Sequence, residues 1–85
     1  MTVVGVTFGM TPQQLQRQFG KPAQKQGRCW LYPMQVAKAL AAYGVVKSDE
    51  AICFFGGGVS DYSERDYVRR HGKLVLWQPP APKLP

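Results

Sequence analysis

Residues 8–22, FGMTPQQLQRQFGKP, constrain the fold more than any other part of this chain, because both ends of a very short helix are written into them. Thr11 is placed as N-cap, Pro12 takes the first helical position where its missing N–H costs nothing, and Gln14 completes a Thr-x-x-Gln capping box. Met10 can staple onto Leu15, Leu15 and Phe19 share one stripe at i, i+4 spacing, Gly20 supplies the exit and Pro22 forbids continuation. Two turns of helix are not stable in water on their own. Leu15 and Phe19 must therefore dock onto something, and the rest of the chain offers strands.

A β-branched start, VVGVTF, reads as a strand, GRCWLYP as a short aromatic strand stopped by Pro33, and AICFF as a strand continuing through Gly56, Gly57 and Gly58 into VSDYS as a hairpin. KLVLW, residues 73–77, reads as a final strand. Between them PMQVAKALAAYG predicts a second helix, opened by Pro33, with Val36, Leu40 and Tyr43 on one face and Gly44 ending it. SERDYVRRHG has a Ser63-x-x-Asp66 box and a closing Gly72, which suggests a third, short helix. AICFF and LVLW present apolar residues to both faces, so both faces want cover. Either the two helices divide that work, or a dimer mate or partner protein covers one face.

At 85 residues the chain holds one domain and one thin core. The expected architecture is α+β, short helices packed on a small antiparallel sheet over residues 1–77, with a proline-rich tail over 78–85. That tail, QPPAPKLP, favours polyproline II and reads as a frayed end or linker. No stretch has the roughly 18 apolar residues of a membrane-spanning helix, and MTVVGVTF lacks the charged start of a signal peptide.

Cys29 and Cys53 each fall in a predicted strand. If those strands are neighbours, a disulfide closing about 25 residues adds roughly 3 kcal/mol and places the protein outside the reducing cytosol, in the envelope or beyond it once a leader has been removed. The alternative is a pair of buried free thiols in a cytoplasmic protein. Two cysteines and one histidine lack metal-ligand spacing, so neither metal nor cofactor is expected. Ser60, Asp61 and His71 could be assembled into a triad on paper, but nothing resembles a nucleophile elbow, and no enzymatic activity is expected.

The net charge of +6 lies entirely in residues 1–47, where Arg17, Lys21, Lys25, Arg28, Lys38 and Lys47 have no acidic counterpart. Such a surplus attracts nucleic acid, anionic lipid or acidic protein by the same screened field. Basic residues interleaved with Trp30 and Tyr32 make a nucleic-acid-binding domain the rival reading, though no reader motif is present.

The order of Gly-Met-Thr opening a helix, Leu15 and Phe19 within it, Gly20-Lys21-Pro22 closing it, Trp30-x-Tyr32 on a strand, and AICFFGGGVSDYS as strand and glycine hairpin resembles the SmpA/OmlA (BamE-like) family. It is also similar to the repeat of the β-lactamase inhibitor protein. The resemblance covers residues 8–63 and implies a two-layer binding scaffold, envelope-associated or a secreted inhibitor, and not an enzyme. The expectation is thus a noncatalytic protein-interaction module that binds a protein partner or a second copy, with Trp30, Tyr32 and Trp77 as anchors, since large amphipathic rings dominate interface hot spots.

Overall fold

The computed structural model describes residues 5–79. Helix α1 (Pro12–Phe19) and the short α2 (Lys38–Ala41) accompany five strands: β1 (Gln24–Gln26), β2 (Cys29–Met34), β3 (Val45–Phe55), β4 (Gly58–Arg70) and β5 (Lys73–Leu76). The strands form one antiparallel sheet in sequence order, β1-β2-β3-β4-β5. Strands dominate the α+β arrangement.

Helix α1 forms as its sequence specifies. Gln14 N–H donates to Thr11 Oγ1 at 3.2 Å, Thr11 N–H donates to Gln14 Oε1 at 3.0 Å, and Gly20 caps the far end. Leu15 is fully buried against Tyr32, Ile52 and Val59, with Val6, Met10, Phe19, Trp30 and Phe54 packed around them. Tyr32 Oη donates to the carbonyl of Gly20 at 2.9 Å, tying β2 to the end of the helix. Helix α1 therefore covers the part of one sheet face formed by β2, β3 and the start of β4.

The other face carries Leu31, Ala51, Asp49 and the Cys29–Cys53 pair, and here too Leu31 and Ala51 are buried. Its visible cover is polar. Arg65 of β4 donates from Nη1 to Gln26 Oε1 of β1 at 2.7 Å. Those strands are three places apart, about 14 Å in a flat sheet, so the sheet must curl for the two side chains to meet above Leu31 and Ala51. The small side chain of Ala51 leaves room beneath them.

Several expected elements differ. SERDYVRRHG is the second half of β4 and the turn after it, not a helix: residues 61–68 pair with β3 on one side and residues 67–70 with β5 on the other. Asp66 accordingly accepts from the Ser48 hydroxyl across the ladder, at 2.6 Å, instead of completing a helical box with Ser63. The second helix is a single turn, since Pro33 and Met34 belong to β2 and its N-cap, Ala37, has no side chain to satisfy the first N–H groups. Pro33 does not stop β2. Ala23 N–H donates to Leu31 O, so odd-numbered β2 residues direct their backbone groups toward β1, which does not extend past Leu31; the missing N–H of Pro33 thus faces an open edge, where proline is tolerated. Residues 3 and 4 of the expected first strand lie outside the described residues, and 5–8 are not a strand; Gly9 and Met10 instead bracket Val59 through two backbone bonds of 2.8 Å. The proline-rich tail lies outside the described residues beyond Pro79. The Gly56–Gly57 hairpin is present, both residues having positive φ as a two-residue β-turn of the favoured hand requires.

Candidate interaction surface

The cysteines sit directly opposite one another on β2 and β3 and are joined as a disulfide, so the free-thiol alternative does not hold. Phe54 N–H donates to Arg28 O beside them, which makes Cys29–Cys53 the closely spaced, non-hydrogen-bonded kind of cross-strand pair. The bridge ties β2 to the central strand β3.

The three expected aromatic anchors lie in different surroundings. Tyr32 is buried and belongs to the core, its hydroxyl spent on Gly20, and burial pushes that hydroxyl's pKa up. Trp30 is half-buried, edge-on to Phe54 at 5.1 Å, with the Lys25 ammonium 4.8 Å from its ring centre. Trp77 lies just beyond β5, half-buried, with Tyr43 at 5.5 Å between ring centres. The basic residues are spread likewise. Arg17 is on α1, Lys21 follows it, Lys25 and Arg28 flank the β1–β2 turn, Lys38 is on α2 and Lys47 on β3. Arg28 lies over the exposed ring of Phe55, and Lys47 pairs with buried Asp49 at 3.3 Å, the one ion pair among the described residues. Ser60 and Asp61 stand at the opposite end of β4 from His71, about 30 Å along the strand, so these three do not meet.

Two further features lie outside the residues expected to form a site. Glu50 of β3 and Glu64 of β4 are direct cross-strand partners on the α1 side of the sheet, with Ser48 and Asp66 as the next pair. A hydrogen bond with Asp66, burial and the nearby charges of Asp66 and Glu50 raise the Glu64 carboxyl above its ordinary value, and burial raises that of Glu50. This acidic row ends in a notch of about 350 Å³ between β4 and the chain leaving β5, bordered by Glu64, Arg65, Asp66, Trp77 and Pro79.

The second feature is the β5 edge. Leu74, Val75 and Leu76 are 44, 37 and 49% exposed, on both faces of an outermost strand, and exposed Tyr43 stands beside Trp77 at its end. Trp77 N–H donates to Asp66 O, so residues 73, 75 and 77 direct their backbone groups inward and Leu74 and Leu76 direct theirs outward. The opposite edge, β1, is three residues of Gln-Lys-Gln, the short polar kind that resists pairing. The demand for cover on both faces of KLVLW was legible in the sequence; that no helix meets it emerges only from the three-dimensional arrangement of the described residues.

No helix among the described residues is long and apolar enough to cross a membrane. In comparisons with known proteins, the chain matches no family model, no curated protein and no solved structure.

Proposed function

We propose that this protein is a noncatalytic interaction module that binds a protein partner by strand addition at β5. The observation that supports this reading is the edge itself, three consecutive exposed apolar side chains on an outermost strand whose outward backbone groups have no partner among the described residues. An extended partner strand gains main-chain hydrogen bonds there while its side chains cover Leu74 and Leu76 on one face and Val75 on the other. Trp77, flanked by Tyr43, serves as the aromatic anchor at the end of the strand. The Cys29–Cys53 bridge favours an oxidising compartment, the bacterial envelope or the extracellular space, for this activity.

The test is affinity capture from lysate with nuclease present, comparing the wild-type chain with a Leu74→Lys, Leu76→Lys double variant that retains its thermal transition. Loss of a discrete protein partner in the variant is the expected result. Capture that is unchanged by the double variant, or that disappears on nuclease treatment, would sink the reading and redirect attention to the basic residues of positions 17–47.

A further inference from the structure

We infer that the β5 edge pairs with the β5 edge of a second copy of this chain, antiparallel about a two-fold axis passing beside Val75. This inference rests on the reading of β5 as a binding edge and names its occupant.

The register follows from which backbone groups are free. Only Leu74 and Leu76 offer outward N–H and C=O groups within β5. A symmetric antiparallel seam that uses them can set Leu74 against Leu76, Leu74 against Leu74, or Leu76 against Leu76 of the second copy. Setting Leu74 against Leu74 places Val75 opposite Lys73 and Leu76 opposite Gly72. Setting Leu76 against Leu76 places Leu74 opposite Gln78 and Lys73 opposite Pro79. Only Leu74 against Leu76 gives each of the three exposed apolar side chains of β5 an apolar mate, with Val75 meeting Val75 at the axis as a non-hydrogen-bonded pair. Lys73 then faces the Trp77 ring of the second copy, a favourable cation–aromatic arrangement.

Charge supports the same orientation. The hairpin end of β5 carries Arg69, Arg70, His71 and Lys73, and residues 67–79 contain no acidic side chain. The far end of β5 meets the notch lined by Glu64, Asp66 and Arg65, a net charge of −1 with both carboxylates ionised, and the Arg65 guanidinium is engaged with Gln26. A two-fold axis sets the basic end of one copy toward the acidic end of the other. A four-residue seam buries less than the roughly 1,200–2,000 Å² of standard stable interfaces, so the dimer is weak, with a dissociation constant on the order of micromolar to millimolar. It is therefore concentration-dependent, and the same edge can exchange a second copy for another strand.

The decisive experiment is cysteine crosslinking under mild oxidation, read on non-reducing gels, with sedimentation of the wild-type chain over a concentration series. Cys29 and Cys53 are already joined and do not interfere. Val75→Cys should crosslink at least about tenfold faster than Leu74→Cys or Leu76→Cys alone, because only position 75 meets itself, at about 4.5 Å between Cα atoms. A mixture of the Leu74→Cys and Leu76→Cys chains should crosslink faster than either alone. Equal rates at positions 74 and 75, or a wild-type chain that stays monomeric up to about millimolar concentration, would overturn the inference. If the chain is monomeric yet the Leu74→Lys, Leu76→Lys variant loses a captured protein, the second copy is excluded while the binding edge stands. If capture is also unaffected, both fail.

Discussion

Glu50 and Glu64 face each other across β3 and β4 with no cation paired to either among the described residues, an arrangement that cross-strand electrostatics disfavours when both are charged. The protein answers by holding on to protons. With both carboxyls raised above their ordinary values, the folded chain binds more protons than the unfolded one between the ordinary and the raised values. Their contribution to stability is therefore full below the ordinary carboxyl range and is lost as the pH rises through the raised values. Glu64→Gln, whose amide can still donate to Asp66, should raise the melting temperature at pH 7 by a few degrees and leave it unchanged near pH 4. A lower melting temperature at pH 7 would show that the Glu64 charge is stabilising. Gly58 poses a steric problem instead. A Cβ there would stand 2.8 Å from the Gly9 carbonyl oxygen and 2.9 Å from Gly9 C and Cα, all backbone atoms that cannot swing aside. Gly58→Ala should cost about 2 kcal/mol, in the upper part of the ordinary range for point substitutions. Amide exchange should quicken in that variant at Gly9, which donates to Val59 O, and at Val59, which donates to Met10 O, the two bonds that hold the segment before α1 against β4.

At the scale of elements, α1 was legible residue by residue because every signal that defines it is local: a cap, a proline, an i, i+4 pair and a glycine. β4 was not. Its second half carries a helical start signal at Ser63 and a closing glycine, and its strand state is decided by pairing with β3 and β5, which no local window contains. β1, Gln24–Gln26, has no apolar residue and exists because the turn at Gly27 folds it onto β2. The aromatic segment of β2 shows the same division. Its strand state could be read from Trp30 and Tyr32, but whether those rings face a partner or a core depends on where α1 lands. In the fold Tyr32 supports the helix, and Tyr32→Phe should lose about 1 kcal/mol, the net worth of one hydrogen bond, and leave the Gly20 carbonyl without its tyrosine partner. Trp30→Ala removes the ring between Lys25 and Phe54, and should cost about 2–3 kcal/mol, below the full large-to-small range because the ring is only half-buried. A Trp30→Ala variant with wild-type thermal stability but impaired capture would return Trp30 to the binding surface.

The molecule as a whole is a thin, curled sheet partly covered by one short helix, with principal extents of 40, 35 and 23 Å, and the covalent bond between β2 and β3 matters in proportion. Replacing both cysteines by serine should cost roughly 3 kcal/mol, a large share of what an 85-residue domain has, with a matching fall in the denaturant midpoint. Net charge acts at the same scale and separates two kinds of partner. Two copies carrying +6 each repel one another. With the charges taken as centred about 25 Å apart, that repulsion is roughly 2–3 kcal/mol near 10 mM salt and only a few tenths near 150 mM. The opposing attraction between the basic hairpin end and the acidic notch involves exposed groups worth about 0–1 kcal/mol per pair, so the repulsion governs the salt response. Self-association through β5 should therefore tighten by about tenfold or more as salt rises over that interval, because the apolar seam persists while the repulsion is screened. Binding of a nucleic acid by the same cationic protein would run the other way, weakening by orders of magnitude as counterions compete for the phosphates. Sedimentation of the chain alone, set beside a filter-binding titration with single-stranded DNA at the same two salt concentrations, reads both slopes. Self-association that weakens with added salt would mean that charge pairs, rather than Leu74, Val75 and Leu76, hold the two copies together.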